Sequence, residues 1–101
     1  MAEFVDFGRD SLTPYRTLLQ SFVSGDTSPE TLEYNFLAQY KRDATNWPEP
    51  VFRLLEDFFF DVDDYVADDG LRAQVNGIDA AQLRAKAVLT LQRLAEVAPE
   101  D

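Results

Sequence analysis

The amino-acid sequence predicts an all-α protein, and three observations support this fold class. Apolar residues recur at the three- or four-residue spacing of a helix in four separate segments. Capping residues followed by proline or glutamine mark the starts of three of these segments. No segment shows the strict alternation of apolar and polar residues that is typical of a strand. Because the links between the helices are short, the sequence favours an antiparallel four-helix bundle.

The first two helices are predicted over residues 13–24 and 28–42. Thr13 and Ser28 are suitable capping residues, and the proline that follows each of them favours the first helical position. Gly25 suits the end of the first helix. The residues expected to face inward are Tyr15, Leu18, Leu19, Phe22 and Val23 in the first helix, and Leu32, Phe36, Leu37 and Tyr40 in the second.

The last two helices are predicted to follow residues 47–50 and to begin at Asp79, ending near Val66 and Val97 respectively. Asp79 and Gln82 have the spacing of a capping box, and residues 67–78 are predicted to form a loop. The residues expected to face inward are Val51, Phe52, Leu54, Leu55, Phe58, Phe59, Val62, Tyr65 and Val66 in the third helix, and Leu83, Ala87, Val88, Leu91, Leu94 and Ala95 in the fourth.

The chain is expected to form a single domain, residues 1–101, with the bundle at residues 13–98. Residues 1–12 are predicted to be an N-terminal arm, in which Phe4, Val5 and Phe7 either dock on the bundle or fray. The N-terminus lacks the basic and apolar regions of a signal peptide, and no apolar run is long enough to span a membrane. With no cysteine in the chain, we expect a cytoplasmic protein.

The negative charge is concentrated in one part of the sequence. The net charge is −10, and residues 49–69 alone hold eight acidic residues and one basic residue. This field has the wrong sign for direct binding to nucleic acid phosphates or to an anionic membrane. The charge distribution therefore predicts a basic protein as the partner.

The third helix collects four aspartates on one flank. On a helical wheel, Asp57, Asp61, Asp64 and Asp68 fall together. Neighbouring like charges on a helix cost about 0.2–0.5 kcal/mol per pair, and acidic residues near a helix C-terminus are also disfavoured by the dipole. A sequence selected only for folding would avoid this arrangement, so we interpret the flank as a binding surface.

An apolar residue lies beside these carboxylates. Phe60 is predicted to point away from the core, as binding hot spots do. The predicted partner-binding residues are Glu56, Asp57, Phe60, Asp61, Asp63, Asp64, Asp68 and Asp69. Other interpretations stay open: the acidic residues could form a solvated face, Phe60 could pack against residues 1–10, and Trp47 is better explained as a loop anchor than as a partner contact.

Common catalytic and metal-binding patterns are absent from the sequence. The chain has no histidine and no cysteine, and its four glycines form no phosphate-binding motif. The acidic stretch that starts at Asp61 fails the calcium-loop pattern, because Val66 and Arg72 stand where glycine and glutamate are needed. We therefore expect no enzyme activity, no metal ion, no cofactor and no small-molecule substrate.

Several short motifs follow one another in a distinctive order over about residues 15–95. The series begins with residues 18–26, followed by Phe36 and Tyr40. It continues through residues 54–59, 62–65 and Asp68, and it ends with residues 78–79 and 82–84. Its most specific part is the run Phe58-Phe59, Val62-Asp63, Tyr65 and Asp68. In this order the motifs resemble the self-protective immunity proteins of the colicin D type.

The resemblance implies an antiparallel four-helix bundle that binds and inhibits a cognate nuclease toxin, typically one that cleaves tRNA, in the cytoplasm of the producing cell. It also implies that an acidic surface covers the basic active-site cleft of the toxin in place of RNA phosphates. The acidic residues that match are Glu56, Asp57, Asp61, Asp63, Asp64 and Asp68. An acidic helical adaptor or nucleic-acid mimic that binds a different basic protein is the alternative.

Overall fold

The computed structural model describes residues 9–45 and 47–97, and this part of the chain contains five α-helices and no β-strand. The helices are α1 (Arg9–Val23), α2 (Pro29–Arg42), α3 (Glu49–Asp64), α4 (Asp69–Val75) and α5 (Ala80–Val97). The four long helices pack in a closed series, α1 on α2, α2 on α3, α3 on α5 and α5 on α1. The all-α class is confirmed, with five helices instead of four. The antiparallel four-helix bundle and the single domain of residues 1–101 stay predictions.

All four long helices contribute to one apolar core. At its centre the rings of Phe36 and Phe58 meet edge to face, with 5.1 Å between their centroids. The fully buried apolar residues are Leu12, Tyr15, Leu19, Phe22, Leu32, Phe36, Val51, Leu55, Phe58, Val62, Leu83, Ala87 and Leu94. Burial of each large apolar side chain stabilises the fold by about 1.5–3 kcal/mol, so this core fixes the direction in which each helix presents its outer face.

Helix α1 begins at Arg9, so the predicted start at Thr13 is wrong. Pro14 lies inside the helix, where it removes one backbone hydrogen bond. Leu12 explains the difference, because it is fully buried and continues the apolar stripe of Tyr15 and Leu19 by one turn toward the N-terminus. Burial of Leu12 therefore outweighs the preference of Pro14 for the first position of a helix. The prediction for Phe4, Val5 and Phe7 lies outside the described residues.

The predicted starts of α2 and α5 are confirmed by their capping hydrogen bonds. The hydroxyl of Ser28 accepts a 3.1 Å bond from the backbone amide of Thr31. Asp79 and Gln82 form a reciprocal pair, in which each side chain accepts a bond from the amide of the other, at 2.8 and 2.9 Å. These caps satisfy amide groups that have no partner within the helix.

The inward-facing set of residues is smaller than predicted. Phe52 in α3, and Val88 and Ala95 in α5, are exposed. Phe52 follows the buried Val51 directly, and this step of about 100° around the helix takes its side chain off the core stripe. Helical spacing alone thus overestimated the width of the buried stripes.

The α3–α5 connection contains a helix where a loop was predicted. Helix α3 ends at Asp64, two residues before the predicted end, and α4 occupies part of residues 67–78. An isolated parallel bridge joins Tyr65 to Ile78, with the amide of Ile78 donating a 2.9 Å bond to the carbonyl of Asp64. A helix of seven residues is too short to show a clear apolar period, which explains why the sequence reading missed it.

The α2–α3 connection is anchored by Trp47, as predicted. Its ring is partly buried against the core and meets Tyr15 edge to face at 6.2 Å, while its Nε1 donates a 3.0 Å bond to Asp43. None of the helices within residues 9–45 and 47–97 has the length and apolar character needed to cross a membrane.

Candidate protein-binding face

The outer side of α3 presents an aromatic residue inside a group of carboxylates. The core stripe of α3 faces inward, so Phe60 points outward and is 54% exposed. Residues three and four positions away are the surface neighbours of a helical residue. For Phe60 these neighbours are Glu56, Asp57, Asp63 and Asp64, and all four are acidic. We call these five residues the Phe60 face.

The carboxylates of the Phe60 face are not paired with basic side chains in the described part of the chain. Among the described residues, Glu56, Asp57, Asp63 and Asp64 form no ion pair and no side-chain hydrogen bond. The last turn of α3 contains no basic residue. Asp63 and Asp64 lie in this turn, at the negative end of the helix dipole, which disfavours acidic side chains. These carboxylates therefore have no ion-pair partner within residues 9–45 and 47–97 that a basic protein would need to displace.

The negative charge of the Phe60 face affects the pKa values of titratable groups on α2. Burial raises the pKa of Glu33, and the charges of Glu30 and Asp63 raise it further. Burial also raises the pKa of Tyr40, and the charge of Glu56 adds to this effect. Acidic groups on both helices thus contribute to one negative region.

Asp61 differs from the residues of the Phe60 face because it lies in the contact between α3 and α5. Its side chain is only 23% exposed, and its Oδ1 lies 3.5 Å from Nζ of Lys86 in α5. Burial raises the pKa of Asp61, Lys86 partly offsets this effect, and Asp64 and Asp57 raise the pKa further. The structure therefore holds this carboxylate in a partly desolvated position with one weak cationic partner.

A groove of about 340 Å³ runs between α3 and α5 beside the Phe60 face. Its walls combine two carboxylates, apolar side chains and two cations, Lys86 and Arg93. The lining residues are Leu54, Asp57, Phe60, Asp61, Lys86, Leu89, Thr90 and Arg93. The sequence did not predict this groove, because Lys86 and Leu89 lie on α5 and no local pattern connects them with α3.

Asp68 and Asp69 lie outside α3 and have local structural contacts. The placement of Asp68 on the same helical flank as Asp57 is wrong, because α3 ends at Asp64. Asp68 caps α4, its Oδ1 accepting a 2.8 Å bond from the amide of Leu71. Asp69 forms an ion pair with Arg72, which also donates a bond to the carbonyl of Val66. A role for Asp68 and Asp69 in partner binding stays a prediction.

The described carboxylates do not converge on a metal site: no group of three acidic side chains in residues 9–45 and 47–97 could hold a metal ion. What the arrangement offers is an exposed aromatic ring with fixed negative charges around it. Such a surface suits recognition of a basic protein, with the ring as the apolar contact at its centre.

The described part of the chain is a small all-helical protein whose α3 presents an exposed acidic and aromatic face. The family model described as "Bacterial self-protective colicin-like immunity" matches residues 11–94, and the chain belongs to this family of immunity proteins. Membership implies binding to a cognate toxin as an inhibitor rather than activity as an enzyme. The comparisons with curated proteins and with solved structures gave no match.

Proposed function

We propose that this immunity protein protects its cell by covering the basic active-site cleft of a nuclease toxin with the Phe60 face. The observation that carries the proposal is the exposed Phe60 with acidic residues at all four neighbouring helical positions. The toxin is a tRNA-cleaving bacteriocin or a contact-dependent toxin domain, and the complex forms in the cytoplasm.

The charge of the face explains how binding would block the toxin. A nuclease that grips RNA needs lysine and arginine side chains in its cleft to neutralise phosphates. The carboxylates of Glu56, Asp57, Asp63 and Asp64 can pair with these cations, and they accelerate association by electrostatic steering. Once bound, the helix occupies the space that the RNA backbone needs. Phe60 supplies the apolar centre that a tight complex requires.

Asp61, Asp68 and Asp69 have different parts in this proposal. Asp61 contributes at the edge of the face, from the α3–α5 groove that it lines. Asp68 and Asp69 continue the negative charge past the end of α3, where they form the rim of the interface. Charges at a rim affect the association rate more than the lifetime of a complex.

The test is binding to the nuclease domain encoded beside the gene of this protein. In the first variant, Asp63→Lys and Asp64→Lys are combined. Both side chains are exposed at the C-terminus of α3, where lysine suits the helix dipole, so we expect the fold to be retained. Binding and protection should be lost, while circular dichroism and thermal unfolding stay as in the unmodified protein.

A matched control distinguishes the loss of charges on the Phe60 face from a change in overall net charge. Asp26→Lys combined with Glu96→Lys makes the same change in net charge, from −10 to −6, at exposed positions outside α3. The control should still bind and protect. Full protection by the Asp63→Lys and Asp64→Lys variant, or equal loss in both variants, would show that the Phe60 face is not the binding site.

A further inference from the structure

We propose that the α3–α5 groove receives one arginine side chain of the bound partner, whose guanidinium group replaces Lys86 at Asp61. This inference rests on the proposed function and names the chemical group that the site recognises. It gives α5 a part in recognition, beyond the acidic residues of α3.

The walls of the groove match both ends of an arginine side chain. Leu54 and Leu89 supply apolar surface for the alkyl stem, and Asp57 and Asp61 supply two carboxylates one helical turn apart for the guanidinium group. The exposed ring of Phe60 lies at the same groove, where a planar cation can stack on it. At about 340 Å³, the space lies near the lower end of the range of ligand pockets, about 300–1,000 Å³. It therefore suits one long side chain rather than a larger element.

Lys86, which contacts Asp61, and Arg93 both line the groove, so it already holds cationic groups of the protein itself. The 3.5 Å separation is long for an ion pair, and the Lys86 side chain is 45% exposed. The half-exposed ammonium group of Lys86 can therefore move into solvent once another cation takes its place at Asp61. A guanidinium group offers more, since its fork of donors can bind a carboxylate at two points.

The choice of arginine over lysine follows from the shape of the site. A second ammonium group would only repeat the contact that Lys86 makes. A guanidinium group can bridge the carboxylates of Asp57 and Asp61 and stack on Phe60 at the same time. Arginine is also the basic residue favoured at the centre of protein interfaces.

The first test uses small probes and does not need the toxin. Methyl signals of Leu54, Leu89 and Thr90, which line the groove, are followed by NMR during titration with n-butylguanidinium and with n-butylammonium. The two probes have the same alkyl chain and the same charge. We expect saturable shifts with the guanidinium and much weaker ones with the ammonium. Equal responses to both probes would overturn the inference.

Paired variants then locate the carboxylate that binds the probe. Asp61→Asn removes a carboxylate that lines the groove, whereas Asp64→Asn removes one that belongs only to the Phe60 face. Each changes the net charge by one. We expect about tenfold weaker guanidinium binding for Asp61→Asn, as for loss of a charged hydrogen bond, and little change for Asp64→Asn. Similar effects of the two variants would also overturn the inference.

The second test fills the groove and measures toxin binding. Leu89→Trp places a large side chain in the groove, and Val88→Trp makes a similar change at the next position on α5, outside the groove. Both positions are exposed, so both variants should fold. We expect weaker binding of the cognate nuclease domain by Leu89→Trp alone.

The outcomes separate this inference from the proposed function. If Leu89→Trp binds the nuclease domain with full affinity, the groove has no part in recognition, although the Phe60 face can still be the binding site. If the unmodified protein does not bind the nuclease domain, the proposed function fails. The probe titration still decides in that case whether the groove selects a guanidinium group.

Discussion

The hydroxyl group of Tyr15 donates a 2.6 Å hydrogen bond to Oδ2 of Asp43, and this bond joins α1 to the end of α2. The same carboxylate oxygen accepts a bond from Nε1 of Trp47, and the other oxygen accepts a 2.8 Å bond from the amide of Thr45. One aspartate therefore fixes the connection that leads into α3. Because α3 carries the Phe60 face, these buried and half-buried groups help to set its orientation.

Removal of the tyrosine hydroxyl should destabilise the protein. Tyr15→Phe keeps the buried ring but leaves Asp43 without one of its three donors. Loss of a hydrogen bond to a charged group predicts a decrease of about 1–3 kcal/mol in the free energy of unfolding, measured by urea denaturation. Tyr34→Phe is the control, because its ring is 76% exposed, and its effect should stay within about 0.5 kcal/mol. Equal stability of Tyr15→Phe and the unmodified protein would contradict this account.

The charge of Asp43 should also make the free energy of unfolding depend on pH in the acidic range. Burial by itself raises the pKa of Asp43, but the bonds from Tyr15, Thr45 and Trp47 outweigh it and hold the pKa below its usual range. A lowered pKa in the folded state means that the stabilisation is present above the unfolded value of about 3.9 and is lost as the pH falls through the folded value. Asp61 acts in the opposite direction, since its pKa is raised, mainly by burial.

The measurement is urea unfolding of the unmodified protein and of Asp43→Asn between pH 7 and pH 3. At neutral pH the variant should be less stable. The difference should shrink as the pH falls below about 4, because the aspartate of the unfolded chain is protonated first and that of the folded protein only at still lower pH. A difference that stays constant over the whole range would show that the charge of Asp43 contributes nothing to stability.

Gly77 is required by a close approach of two backbone segments. A Cβ atom at this position would lie 2.7 Å from the carbonyl oxygen of Asp64 and 2.9 Å from Cγ2 of Val66. Gly77→Ala should therefore displace the bridge between Tyr65 and Ile78 and cost about 1–3 kcal/mol in thermal or urea unfolding. The control is Gly70→Ala, whose Cβ would have only an ordinary 3.4 Å contact with Oδ1 of Asp68, and which should leave stability equal or slightly higher.

Asp68 should behave as a capping residue in the unbound protein. Asp68→Ala removes the acceptor for the amide of Leu71, and loss of such a cap costs about 0.5–2 kcal/mol. Amide hydrogen exchange at Leu71 should become faster, and Asp68→Ser should restore the protection because serine also caps helices. Asp63→Ala makes the same charge change on α3 and should leave exchange at Leu71 unaltered. Unchanged exchange in Asp68→Ala would mean that the cap does not stabilise α4.

Substitution of Phe60 should weaken binding, whereas substitution of Phe58 should lower stability. Phe58 is fully buried, so Phe58→Ala should lower the free energy of unfolding by about 3–5 kcal/mol. Phe60 contacts the ring of Phe59 but is exposed, so Phe60→Ala should change stability by only about 1 kcal/mol or less. On the proposed function, Phe60→Ala should nevertheless weaken toxin binding at least about tenfold in a calorimetric titration, as for a hot-spot residue. If Phe60→Ala lost much of its stability but kept its affinity for the toxin, Phe60 would be a core residue and not a binding residue.

The sequence best predicted the features that depend on residues of a single helix. The starts at Ser28 and Asp79 were predictable because a cap is a contact between residues three positions apart. The outward direction of Phe60 was equally predictable, because it follows from the core stripe of its own helix. The family resemblance was also visible in the order of short motifs and agrees with the family match over residues 11–94.

The features that escaped prediction depend on contacts between distant segments. The start of α1 is set by the burial of Leu12 in the core, which no capping pattern reveals. The pairing of Asp61 with Lys86 joins residues 25 positions apart on different helices, so the wheel of α3 alone made Asp61 equivalent to Asp57. Asp68 was assigned to α3 because the wheel was continued past the actual helix end at Asp64.

The place of α5 in the packing has a consequence for protein synthesis. This helix contacts both α1 and α3 and supplies three fully buried apolar residues, Leu83, Ala87 and Leu94. A chain that is still attached to the ribosome before residues 80–97 emerge has the acidic helix but cannot close its interior around it. The core can therefore close only after residues 80–97 have left the ribosome.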